Sequence, residues 1–63
     1  MKEYSIMKSR GNVSIEVYRG DSESDAKAWF GLLIKGRNIK HFDNEFDVML
    51  LDGTRFKLEE DHE

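Results

Sequence analysis

The chain has no cysteine and no proline. Without cysteine there is no disulfide framework and no thiolate zinc site, and a reducing, cytoplasmic setting is expected. Without proline, every strand residue keeps its backbone N–H, so nothing in the sequence blocks pairing along a sheet edge. No apolar run reaches the length of a signal-peptide core or a membrane span, which argues against a membrane protein. A dominant charge is also missing. The formal net charge is −3, but Glu59, Glu60, Asp61 and Glu63 cluster at the end of the chain. The remaining acids nearly balance the bases, so charge alone makes no case for nucleic acid. There is no Gly-x-Ser-x-Gly elbow and no glycine-rich phosphate loop. No catalytic residue, cofactor or metal is expected, and the chain is read as a non-enzyme. At 63 residues it forms one domain, burying about 60% of its unfolded surface. Self-association is one way to supplement so small a core.

What is present centres on residues 22–36. Ser22 with Asp25 three positions on fits a helix N-terminus: a side-chain oxygen for an orphan N–H and an acid in the positive first turn. At about 100° per residue, Ala26, Trp29, Phe30, Leu33 and Ile34 fall on one stripe roughly 140° wide. Lys27, Gly31 and Lys35 fall opposite. Lys35 followed by Gly36 is a cation-then-glycine stop. The stripe puts Trp29 in the core, under the helix.

Strands flank this helix. Tyr4–Lys8 reads as a first strand, Ser9–Asn12 as a turn, and Val13–Tyr18 as a second strand with Val13, Ile15 and Val17 facing the core. Residues 37–45 read as a polar connection pinned by Ile39 and Phe42. Phe46–Leu51 is a third strand, Asp52-Gly53 a hairpin turn, and Thr54–Leu58 a fourth strand with Phe56 and Leu58 inward. The expected fold is α+β in ββαββ order: a four-stranded antiparallel sheet with one helix packed on one face. The domain covers residues 1–58, with 59–63 an acidic, disordered tail.

Strand three is apolar on both faces. With Phe46, Val48 and Leu50 under the helix, Met49 and Leu51 point away from it, and Met7 and Tyr18 are assigned to the same outer face. Met7, Tyr18, Met49 and Leu51 then form an apolar patch for another protein or a second copy. Residues 43–47 are rich in oxygen ligands but lack the glycine and glutamate of a calcium loop, and suit a solvated turn. His41 and His62 lack metal-ligand spacing.

The stretch from Ile39 to Asp52 supports a different idea. Ile39, Phe42, Asp43, Phe46, Asp47, Val48, Leu50 and Asp52 match the spacing of the first signature of Sm-like RNA-binding proteins, and the stretch resembles that signature. The resemblance implies base-binding positions at Asp43, Phe46 and Asp47, although Asp47 stands where the family has asparagine. The family's second signature, with its Arg-Gly pair, has no counterpart here. Arg37, Lys40, His41, Arg55 and Lys57 supply cations for such an RNA or single-stranded DNA surface.

The expected function is that of a small, non-enzymatic protein-binding module acting by docking, alone or as a homodimer. Small stand-alone domains of this kind are often phage or mobile-element modulators or inhibitors of a host protein. That expectation comes from size and not from any residue. Nucleic-acid binding is the alternative.

Overall fold

The computed structural model describes residues 2–44 and 46–61, and of residues 41–44 the backbone only. The elements in chain order are β1 (Glu3–Arg10), β2 (Val13–Gly20), α1 (Glu23–Ile34), β3 (Ile39–Asn44), β4 (Asp47–Leu50) and β5 (Arg55–Asp61). The strands make one sheet in the order β2-β1-β5-β4-β3, antiparallel throughout. The class is α+β as expected, but with five strands. The extra strand is β3, which the sequence presents as a loop. Its pairing with β4 skips Lys40 and Asp43. The two apolar pins, Ile39 and Phe42, sit opposite Leu50 and Val48. Their three-residue spacing fits no regular strand, and the irregular register accommodates it.

Turn chemistry explains the two hairpins. Arg10 pairs with Val13 across Gly11-Asn12, and Gly11 has φ 61. Glycine at the first central position suits a two-residue turn whose twist matches the strands. The β4–β5 connection is not the two-residue turn expected from Asp52-Gly53. Leu50 N–H donates to the Thr54 carbonyl (2.7 Å) and Gly53 N–H to the Leu50 carbonyl (3.0 Å). Leu51, Asp52 and Gly53 form a three-residue loop, with Gly53 at φ 87. At the helix start Ser22 Oγ accepts from the Asp25 N–H at 3.3 Å, as read; at its end the helix stops at Ile34, so Lys35 caps it and stands outside the last turn, and Gly36 follows at φ 74.

One side of the sheet carries the core. Ile6, Phe30, Val48, Leu50 and Phe56 are buried together, with Val17, Tyr18, Leu33, Ile34, Phe46 and Leu58 packed around them. An irregularity opposite Ile6 and Met7 shapes this side. Ile6 faces Tyr18 while Met7 faces Glu16, so Val17 is the extra residue of a bulge. The bulge lets Val17 and Tyr18 both pack against the core, where strict alternation permits one of them. Tyr18 therefore leaves the outer face assigned to it.

The helix packs on β2, β1 and β5. Ala26 and Phe30 are buried beneath it. Trp29 is not: it is 49% exposed and stacks on Tyr18 at 5.7 Å between ring centroids. A 140° stripe is wider than a flat sheet can cover, so its margin stays in solvent. The helix starts beside Tyr4, and just past its end Arg37 lies over the Phe56 ring on β5. Val13 and Ile15, expected in the core, are left 65% and 51% exposed.

The strand expected to stop at Leu58 continues. Glu59, Glu60 and Asp61 pair with Ser5, Tyr4 and Glu3, so these three acids belong to the sheet and not to a tail. His62 and Glu63 lie outside the described residues.

Candidate docking surface

The outer side of the sheet is predominantly polar. Ser5, Ser9, Ser14, Glu16, Arg19, Arg55, Lys57 and Glu59 surround Met7 in a shallow depression. Arg19 binds Glu3, Glu16 and Asp61, with Nη2 to Glu16 Oε2 at 2.8 Å and Nη1 to Asp61 Oδ2 at 3.1 Å. Hydrogen bonding to Glu16, then to Glu3, raises the Arg19 guanidinium above its usual range. Arg55 grips Asp47 with a fork: Nε to Oδ1 at 2.7 Å and Nη2 to Oδ2 at 2.6 Å. Asp47 is 6% exposed, so this carboxylate is held in a two-bond, charge-assisted contact.

The four residues expected to form an apolar patch are not brought together. Met7 and Met49 share the outer side, both half-buried. Met49 faces Arg55, and Met7 faces Lys57, so β5 with its two cations runs between them. Tyr18 lies on the helix side through the bulge. Leu51, 61% exposed, sits in the β4–β5 loop.

The proposed base-binding set is split as well. Arg37 is on the helix side, where its Nε also donates to the Leu33 carbonyl at 2.9 Å. Arg55 and Lys57 are on the outer side, Arg55 bound to Asp47 and Lys57 3.4 Å from Glu59. Lys40 is exposed on β3. Phe46 packs edge-on against Phe30 at 5.8 Å, with the Lys27 ammonium 5.2 Å from its ring centre. The side chains of His41 and Asp43 lie outside the described residues. Among the described residues, no group of three or more His, Cys, Asp or Glu is placed to hold a metal, and no helix is long and apolar enough to cross a membrane.

The exposed apolar surface lies elsewhere. Val13, Ile15, Trp29 and Leu32 are 65%, 51%, 49% and 64% exposed. Ile15 shares a row with Lys8, Phe56 and Val48, which fixes it on the helix side of the sheet, and Val13 lies two residues away on the same side. Trp29 rests on Tyr18 of β2, so it marks the flank of α1 that overlooks this edge. Leu32, three residues on, is its neighbour on that flank. Beside them runs β2, an edge strand of the sheet. A sequence signal for this surface existed: Leu32 is a large apolar residue outside the core stripe.

The polar contacts near the helix start are structural. Lys27 Nζ lies 2.8 Å from Glu23 Oε1, and that hydrogen bond draws the Glu23 carboxyl below its usual range. Comparison with protein-family models, curated proteins and solved structures finds no match to this chain.

Proposed function

We propose that this chain is a small protein-binding module that docks through the β2 edge and the adjoining flank of α1. The supporting observation is the concentration there of Val13, Ile15, Trp29 and Leu32, four of the six exposed large apolar residues among those described. Contiguous exposed apolar side chains carry a hydration cost that association removes. An open strand edge beside them offers main-chain hydrogen bonds, and the side chains offer anchors, the combination used in strand addition. Action is by occupancy: the module covers a partner's surface, which suits an inhibitor or modulator.

A photo-crosslinking side chain placed at Leu32 tests this in the cells that make the protein. It should capture one defined partner, foreign or identical, and the same group at Ser9 on the outer side should not. Equal capture from both positions, or capture from Ser9 alone, contradicts the proposal. The nucleic-acid alternative has its own signature: binding to random oligonucleotides that falls steeply with salt. Such binding, lost on reversing Arg55 and Lys57, would replace docking as the function.

A further inference from the structure

Resting on that docking proposal, we infer that the occupant of the β2 edge is a second copy of this chain, paired antiparallel about a two-fold axis at Ile15. Three features of the edge select this partner and this register.

The first is the direction of the backbone groups. The two-residue turn makes Arg10 and Val13 a hydrogen-bonded pair. Alternation along the β1–β2 ladder, in which Ser9 faces Ser14 and Met7 faces Glu16, then turns the N–H and C=O of Ser14 and Glu16 outward. A register that sets Ser14 against Glu16 of the partner subunit satisfies both residues on both copies. It brings Ile15 against Ile15 of the partner subunit as a close, non-hydrogen-bonded pair, and Val13 against Val17 of the partner subunit. Sliding two residues one way sets Glu16 against its own copy, a like-charge pair directly opposite. Sliding two residues the other way sets Ser14 against itself and leaves Ile15 off the axis. The bulge at Val17 ends regular pairing there, which confines the seam to Val13–Val17.

The second is apolar cover. In this register Ile15 and Val13 of both copies line the helix side of the seam. Trp29, stacked on Tyr18, and Leu32 lie on the flank of α1 above this strand in each copy.

The third is charge. On the helix side, β1 sets Arg10 opposite Val13 at the hairpin end and Lys8 opposite Ile15, in the row of the axis. The opposite end carries Asp21, and Asp25 in the first turn of α1. Among the described residues, no ion pair within the chain uses Lys8, Asp21 or Asp25. Antiparallel association turns the hairpin end of each copy, with Arg10, toward the end of its mate that carries Asp21 and Asp25, two complementary approaches from one two-fold operation. A polyanion finds an acidic half on this edge and no such match. The product is one continuous sheet built from two five-stranded ones.

Sedimentation equilibrium of the full chain, from micromolar to near-millimolar concentration, should show a dimer. Ile15→Lys should weaken it by about tenfold or more, since two lysines then oppose each other at the axis, while the far-UV circular dichroism stays unchanged. Leu51→Lys, remote from the seam, should leave the dimer intact. Salt at about 1 M should loosen it, because the Debye length there is only roughly 3 Å. The chain has no cysteine, so Ile15→Cys gives a background-free cross-link. Close antiparallel partners lie about 4.5 Å apart at Cα, within disulfide reach, and mild oxidation should link Ile15→Cys but not Ser9→Cys. A monomer at every concentration overturns the inference, as does a dimer indifferent to Ile15→Lys. A monomer that still captures a foreign protein through Leu32 overturns self-pairing alone and leaves the docking proposal standing. A monomer with no such capture overturns both.

Discussion

Phe30 and Trp29 are adjacent in sequence, and the structure gives them opposite roles. Phe30 is 2% exposed at the centre of the core, so Phe30→Ala should cost about 3–5 kcal/mol. A chain of 63 residues has a total stability of roughly 3–9 kcal/mol, so this variant should be largely unfolded. Trp29→Ala removes a half-exposed ring stacked on Tyr18 and should cost only about 1–2 kcal/mol. Thermal melts of the two variants check the contrast; equal losses would show that Trp29 is a core residue after all. Asp52 supplies a pH test. The Thr54 N–H donates to Asp52 Oδ1 at 2.9 Å, and this backbone hydrogen bond holds the carboxyl below its usual range. A depressed carboxylate stabilises the fold above its unfolded pKa, and that stabilisation is lost as pH falls through the folded value. Stability should therefore decline from about pH 5 downward, with Glu23 contributing in the same sense. Asp52→Asn should make the acid decline shallower, and a pH profile identical to that of the unmodified chain would contradict this role.

At the scale of elements, the end of β5 is the clearest test. Glu59, Glu60 and Asp61 pair with β1, and Asp61 completes the carboxylate set around Arg19. Ending the chain after Leu58 should lower the melting temperature by about 5 °C or more, the shift expected for a loss of roughly 1 kcal/mol in a domain of this size. An unchanged melting temperature would mean that the last residues add nothing. The same elements show what the sequence made legible. The Ser22 cap, the Gly36 stop and the Gly11 turn are local chemistry, and each stands close to where it was expected. The bulge at Val17 and the irregular register of β3 are set by contacts across strands. No pattern within Val13–Tyr18 announces that Val17 and Tyr18 share a face. No alternation in Ile39–Asn44 marks a strand. The acids of residues 59–61 read as a tail because their partners, Glu3 to Ser5, lie at the far end of the chain.

The whole molecule has two unlike sides and two unlike ends. The outer side of the sheet closes its charges on one another, through Arg19 with its three acids and Arg55 with Asp47. The helix side leaves an apolar corner open at the hairpin end of β2, where Val13 and Ile15 stay exposed. The expected apolar patch of Met7, Tyr18, Met49 and Leu51 rested on strict alternation and a tight β4–β5 turn. The bulge and the three-residue loop remove both premises. Val13 and Ile15 were assigned to the core because sequence periodicity specifies a face but not how far a helix extends along it.

The chain contains one tryptophan, and Trp29 stands half-exposed on the proposed docking surface, so its fluorescence reports directly on docking. The measurement is Trp29 emission and acrylamide quenching as binding is driven to saturation, by raising the concentration of the chain itself or by adding the partner captured through Leu32. Docking through the β2 edge and the α1 flank should shift the emission to the blue and shield the ring from acrylamide, with both changes lost in Leu32→Lys. Saturated binding that leaves Trp29 emission and quenching unchanged would place the interface elsewhere on the molecule and contradict the account.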